Sequence, residues 1–366
     1  MIPRAHRVGT SVGPGRPGSP VLDCAGGRRP VRVGGCLRRP RSVVDEEGRV
    51  MSEPVVPVAI GPSGPAPTLL ERAVVDGGGK VTDLAEARAL ISVGGPDGFP
   101  ADLPSGVEWV QLPAAGVEDW FAAGIIQRHP HVRFTSAAGA YAASVAEHAL
   151  ALLLAGVRYL PEHLRADRWR QQEFFPHVGS LRGKTVTIVG AGGIGRALVP
   201  MLIPLGVHVI AVNRSGRPVA GPGIPESVET VAADQLSKVW ARTDHVVIAA
   251  PATAQTRHLV GADALARLKP ASWVVNVARG SLIDTEALVA ALSSGTIAGA
   301  GLDVTDPEPL PQGHPLWSLP NAIITPHDSN PPQLRVAAWA DHVGENVRRF
   351  AAGRDLLAPV DPVRGY

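Results

Sequence analysis

The sequence predicts an α/β protein built on two parallel sheets. Two observations carry that prediction. From about residue 55, short β-branched runs alternate with helix-spaced segments, and from 185 a second such series supplies six more strand-like runs. The first run of the second series, "TVTIV", stops in the glycines of "GAGGIG".

The first 52 residues stand apart. Residues 1–50 carry ten Arg, no Lys and four acids, a net +6, against −4 for the rest and +2 for all 366 residues. Stretches such as "VGPGRPGSP" have no period of 2 or 3.6, which predicts disorder over 1–52. Two readings of this head stand: an upstream translation artefact with Met51 as the true start, or a genuine Arg-rich extension. Its Gly and Pro oppose the amphipathic helix of a transit peptide, and it lacks the apolar core of a secretory signal. Both cysteines, Cys24 and Cys36, lie in it. The body therefore has no thiol for a disulfide, a metal or a nucleophile, which fits a cytoplasmic protein. No run of 18 apolar residues occurs, so no membrane span is expected. The near-neutral balance gives no reason to expect nucleic acid, the Arg-rich head being the one feature that suggests such an arm.

In the first series, 55–60, 89–94, 107–112 and 132–137 read as buried strands. "DLAEARAL" and "VEDWFAAGIIQRH" have helical spacing, and "DGGGK" (76–80) reads as a flexible turn rather than a phosphate cradle. The next segment, "SVAEHALALLLAGVRYL", opens with the capping-box pair Ser144 and Glu147. It is apolar almost all round, so burial between domains or in an interface is expected, with His148 satisfied there. "LPEHLRADRWRQQEF" then turns charged. In the second series the strands are "TVTIV", 208–213, 245–250, 272–277, 298–304 and 321–327, the count of a Rossmann dinucleotide-binding domain. A last helix spans roughly 331–352.

Gly190, Gly192 and Gly195 form G-x-G-x-x-G between a strand and a helical run, the setting that gives the pattern meaning. The first Gly permits the turn, the second lets backbone approach a pyrophosphate, and the third allows close helix–strand packing. The helix start at Gly193 and Ile194 offers unpaired N–H groups. Pro200 and Pro204 predict that this helix is kinked or short, since an interior proline costs about 3 kcal/mol. Eighteen residues past Gly195, where an NAD binder usually has an acid, stand Asn213, Arg214 and Ser215. Asn does not repel a 2′-phosphate and Arg pairs with one, so NADP is favoured over NAD.

Four further stretches occur in order: "VVNVARGSLID", "AGLDVTDPEPLP", "HPLWSLPNAIITPH" and "VDPVRGY". With "AAGVEDW" and "YAASVAEHALALLL" they resemble the D-isomer-specific 2-hydroxyacid dehydrogenase family, over nearly everything from residue 55 to the end. The resemblance implies a discontinuous, flavodoxin-like substrate domain (53–148 and 329–366) around a dinucleotide-binding domain (149–328). It implies a homodimer and a cleft between the domains. By motif, Arg279, Glu308 and His327 are the catalytic residues. Ala115 and Gly116 grip the substrate carboxylate with their amides, Asp303 contacts the nicotinamide carboxamide, and Pro251, Val277 and Ala278 line the cofactor.

The chemistry of these residues agrees. Arg279, Glu308 and His327 all fall at or just beyond strand C-termini, where open α/β sheets bind ligands. Arg279 offers a planar fork to a carboxylate. Negative charge grows on oxygen as hydride reaches the carbonyl carbon, and a His can supply the proton while a Glu holds its ring. Two departures from the family pattern bear on the substrate. Asp328 follows "TPH" where small or apolar residues are common, and is expected to point outward. Glu118 replaces the usual Asp. The expected reaction is reduction of a short 2-oxo acid such as glyoxylate or hydroxypyruvate, or its reverse. 3-Phosphoglycerate is disfavoured because no basic cluster appears in the first domain. The alternative function is a nucleotide-sensing binding protein, as in the C-terminal-binding-protein corepressors that share this fold. His245 and His258 lack metal-ligand spacing, so no metal is expected.

Overall fold

Val56–Gly61 (β3), Gly79–Val81 (β4), Ala89–Ser92 (β5), Trp109–Gln111 (β6) and Arg133–Thr135 (β7) form a wholly parallel sheet in the order β4-β3-β5-β6-β7. Numbered within the sheet this is 2-1-3-4-5, the flavodoxin-like order. Every residue of β5 and β6 is buried, as expected of parallel strands covered on both faces. The computed structural model describes residues 43–44, 50–51, 55–61, 68–363 and 365. Within the head, Val43–Val44 (β1) pairs antiparallel with Val50–Met51 (β2), where no strand was expected. The rest of the segment read as disordered lies outside the described residues.

Three helical expectations change. Thr68–Asp76 (α1) is a helix that the sequence reading missed. "DLAEARAL" yields only a 3-10 turn, Leu84–Glu86, before the chain enters β5. "VEDWFAAGIIQRH" breaks into Glu118–Ala122 (α2) and Ile125–Arg128 (α3), because Gly124 between them takes a left-handed φ of +69°. The "DGGGK" stretch is also more than a turn. It leads into β4, and a β-carbon on Gly77 would lie 2.6 Å from the carbonyl of Gly344 on the last helix, Pro332–Ala351 (α10). Gly77 and Gly79 serve the close packing of α10, which returns after the second sheet to cover α1 through Leu70, Val74, Val343 and Val347.

The second sheet holds Thr185–Val189 (β8), His208–Asn213 (β9), Glu229–Ala232 (β10), His245–Ile248 (β11), Trp273–Asn276 (β12), Gly299–Leu302 (β13) and Ala322–Ile324 (β14). Their order is β10-β9-β8-β11-β12-β13-β14, all parallel. That is the doubly wound 3-2-1-4-5-6 order plus one strand. The six-strand reading missed β10, an edge strand with no fully buried residue and hence no apolar run to betray it.

Ala142–Val157 (α4) packs on Gly193–Leu202 (α7), β12 and β13. The expected domain boundary at 148/149 falls inside this unbroken helix. Nor is it buried all round, since Ala143, Glu147 and Ala151 form an exposed stripe. Its start lies two residues before the expected cap, and Ser144 caps nothing: its hydroxyl donates to the Ser329 carbonyl at 2.7 Å. Helix α7 contains Pro200 and ends at Leu202, passing into a 3-10 turn at Ile203–Leu205, so it is short as expected. Leu160–Arg165 (α5), Gln171–Phe174 (α6), Ala262–Arg267 (α8) and Thr285–Ser293 (α9) complete the helices.

Candidate active site

The glycine turn meets the physical demands read from its sequence. Gly190 has φ +105°, and a side chain there would strike the backbone of Ala249 and Ala250 at the end of β11. A β-carbon on Gly195 would sit 2.6 Å from the Gly190 carbonyl, so α7 lies hard against β8. Gly192 is the opposite case, with no atom within 4 Å of where its β-carbon would be. Backbone is therefore open to a ligand there. The first turn of α7, at Gly193, Ile194 and Gly195, has amides with no intrahelical acceptor. An open cradle at a helix start fits a dinucleotide pyrophosphate.

At the end of β9, the Asn213 side chain bonds into its own loop. Its Oδ1 accepts from the amides of Ser215 (3.1 Å) and Gly216 (2.7 Å), and its Nδ2 donates to the Arg217 carbonyl at 2.8 Å. It builds a turn that leaves Arg214 and Arg217 exposed. Arg217 was not singled out from the sequence. Pro251 lies exposed beyond β11, next to the Ala249–Ala250 backbone that abuts Gly190.

Beyond β12, Asn276 is fully buried and braces the turn that presents Arg279. Its Oδ1 accepts from Ala278 N at 3.0 Å and its Nδ2 donates to the Arg279 carbonyl at 2.8 Å. Val277 lines the cleft, while Ala278 is buried. A side chain on Gly280 would collide with the Thr305 carbonyl, so this turn packs directly on the loop that carries Glu308. The Arg279 guanidinium donates to the Ala278 carbonyl at 2.8 Å and lies 3.4 Å from Glu118. It rests on Gly116, where any β-carbon would strike it. Ala115, Gly116, Arg279 and His327 thus share one cleft of about 810 Å³. Glu118 is thus the carboxylate that stands beside Arg279.

His327 has φ +54°, a strained conformation for a non-glycine residue. Its Nδ1 lies 2.7 Å from Glu308 Oε1, and Glu308 Oε2 accepts from the Thr305 amide at 3.3 Å. With the Nδ1 proton shared with Glu308, the ring's Nε2 is left for chemistry.

Asp303 holds that strained turn. Its side chain is wholly buried and takes donors on both oxygens. Oδ1 accepts from the Thr325 hydroxyl (2.7 Å) and the Asp328 amide (3.0 Å), and Oδ2 from the Ser329 amide at 3.3 Å. Its carbonyl accepts from the His327 amide at 2.8 Å. Burial pushes the carboxyl up, but the hydrogen bonds from His148, Ser329 and Thr325 outweigh it and hold the group well below the usual carboxylate range. His148 is satisfied here, 2.9 Å from Thr325 Oγ1 and 3.4 Å from Asp303 Oδ1. The bond to Asp303 raises its pKa against the effect of burial.

Asp328, though exposed, is not among the residues lining the cleft, and its carboxylate lies within 4.8 Å of the ligand atoms of His148 and Asp303. Among the described residues, these three are the one grouping with metal-ligand chemistry. The N–H and O–H donors already on Asp303 argue against a cation there.

Comparison with known proteins gives a consistent picture. Residues 148–329 match the family model described as D-isomer specific 2-hydroxyacid dehydrogenase, NAD binding domain. An uncharacterised Corynebacterium melassecola protein, from the proB 3′ region, is 42% identical over 301 residues, 80% of this chain and 95% of that one. The D-isomer specific 2-hydroxyacid dehydrogenase of Xanthobacter autotrophicus Py2, solved with NADPH and MES, is 31% identical with a TM-score of 0.70, covering 85% of this chain and all of that one. The NADPH-dependent glyoxylate/hydroxypyruvate reductase of Sinorhizobium meliloti, solved with NADP and sulfate, is 25% identical with a TM-score of 0.65, over 85% and 100% of the two chains. The match to the mycobacterial D-3-phosphoglycerate dehydrogenases spans only 39% of their length.

Proposed function

The chain belongs to the D-isomer-specific 2-hydroxyacid dehydrogenase family, and we propose that it reduces a short 2-oxo acid to its D-2-hydroxy acid with NADPH. The observation that carries this is the arrangement of Glu308, His327 and Arg279: an imidazole oriented by a carboxylate 2.7 Å away, lining one cleft with a guanidinium. Arg279 and the Ala115–Gly116 backbone take the substrate carboxylate, displacing Glu118. His327 Nε2 then faces the carbonyl oxygen and gives it a proton, while Glu308 keeps the ring from turning. Asp303 fixes the turn on which His327 sits. Gly190–Gly195, Pro251 and Val277 would hold the dinucleotide, which would supply the hydride for the carbonyl carbon. Glyoxylate and hydroxypyruvate are the first substrates to try, in keeping with the name of the Sinorhizobium meliloti relative.

NADPH is chosen over NADH because the β9 turn carries two arginines and no acid. Steady-state oxidation of each cofactor, followed at 340 nm with glyoxylate, tests this. The wild type prefers NADPH in kcat/KM, and Arg214→Gln with Arg217→Gln shrinks that preference by about 10- to 100-fold, the value of charge-assisted bonds to a phosphate. An NADH preference in the wild type contradicts the cofactor assignment and leaves the reaction standing.

The protein works as a homodimer, in the cytoplasm. Leu164 and Trp169 are each 86% exposed and Phe175 is 59% exposed, all on the α5–α6 segment. Beside them opens a cavity of about 800 Å³ lined by Tyr159, Pro161, Trp273 and His245. His245 is buried there, its pKa pushed down to about 4 by desolvation, with Nε2 unpaired. A second copy covers this surface. Sedimentation velocity finds a dimer for the wild type and a monomer for Trp169→Glu with Leu164→Glu. A wild-type monomer at micromolar concentration rejects the assembly.

A further inference from the structure

The cleft holds a second cation that the reaction on a simple 2-oxo acid does not use. Helix α10, after the crossover from the second sheet, presents Arg335, Val336 and Trp339 to the same cleft that Arg279 and His327 line. The spacing of these three positions puts them on one face of the helix. Arg335 is exposed, and its guanidinium has no hydrogen-bond or ion-pair partner among the described residues. It lies close enough to Tyr141, another lining residue, to offset part of the rise that burial gives that phenol.

The anions nearby are directed elsewhere. Glu118 is engaged by Arg279. Asp328 sits by His148 and Asp303. Arg279 has Glu118 beside it and His327 has Glu308, whereas Arg335 is the cation of the cleft lining with no carboxylate on it among the described residues. Arg335 shares the cleft lining with the apolar side chains of Val93, Val336 and Trp339. A cation so placed suits a substrate that is anionic at both ends.

We propose that Arg335 forms a distal anion subsite, and that the physiological substrate is a 2-oxo acid bearing a second anionic group, a carboxylate or a phosphate, at the end away from its 2-oxo carboxylate. This rests on the reductase reading above and narrows it. It also revises the sequence-based ground for disfavouring phosphorylated acids. The cation missing from the first part of the domain is supplied by a helix about 200 residues later in the chain.

The test compares kcat/KM, with NADPH and the full chain, for glyoxylate and pyruvate against oxaloacetate, 2-oxoglutarate and phosphohydroxypyruvate. The wild type favours at least one doubly anionic acid over both singly anionic ones by about 10-fold or more. Which one it favours separates carboxylate from phosphate. Arg335→Gln lowers that ratio by about 10- to 100-fold, as loss of a hydrogen-bonded charge pair does, and Arg335→Lys restores part of it. Wild-type turnover with no preference overturns the subsite while keeping the reductase. Equal losses on both substrate classes in Arg335→Gln also overturn it, by showing a structural role. No turnover on any of the five acids removes the reductase reading and the subsite with it.

Discussion

Replacing His327 by alanine lowers kcat for 2-oxo acid reduction by about 10²- to 10⁴-fold, the usual contribution of a positioned general acid. NADPH binding, read by quenching of protein fluorescence, stays within about 3-fold, because the cradle proposed for the pyrophosphate, Gly190–Gly195, lies at the turn from β8 into α7. The size of the effect follows from the geometry. His327 is the titratable group of the cleft whose second nitrogen is braced, by Glu308 at 2.7 Å. The chain also holds this residue at φ +54°, with the His327 amide donating to the Asp303 carbonyl. Retention of kcat in the alanine variant removes His327 from the mechanism and favours a protein that binds nucleotide without turning it over.

Arg279→Gln lowers kcat/KM by about 100-fold or more, chiefly through KM. A hydrogen bond to a charged group contributes about 1.5–3 kcal/mol, and the guanidinium can make two to a carboxylate. Glutamine keeps some polarity but neither the charge nor the fork. Glu118→Gln moves KM the other way, since it frees Arg279 of the carboxylate that rests 3.4 Å away. If KM is the same in Arg279→Gln and the wild type, the substrate carboxylate is held elsewhere.

The features legible in the sequence are those with a local signature. Strand β8, the three glycines and the helix start are contiguous, and each residue's role there depends on its neighbours in the chain. The order of Arg279, Glu308 and His327 was readable because each sits in its own short motif. What escaped depended on long-range packing or on weak local signal. The strands β4 and β10 are edge strands without a continuous apolar run. Ser144 has a capping pattern, yet its hydroxyl reaches a carbonyl 185 residues away. Asp303 entered through the family resemblance, as a cofactor contact. Its burial and four donors depend on His148, Thr325, Asp328 and Ser329 meeting in space. Arg335 lies in a helix whose return to the first sheet could be expected, but no spacing in the sequence says which of its faces the cleft receives.

In the proposed reaction this cleft directs hydride to one face of the carbonyl carbon and a proton to its oxygen. The most direct measurement supplies hydroxypyruvate and NADPH to the purified protein, follows absorbance at 340 nm, and resolves the glycerate formed by chiral chromatography. One D-glycerate is expected for each NADPH consumed. L-Glycerate, a racemate, or tight NADPH binding without glycerate would contradict it.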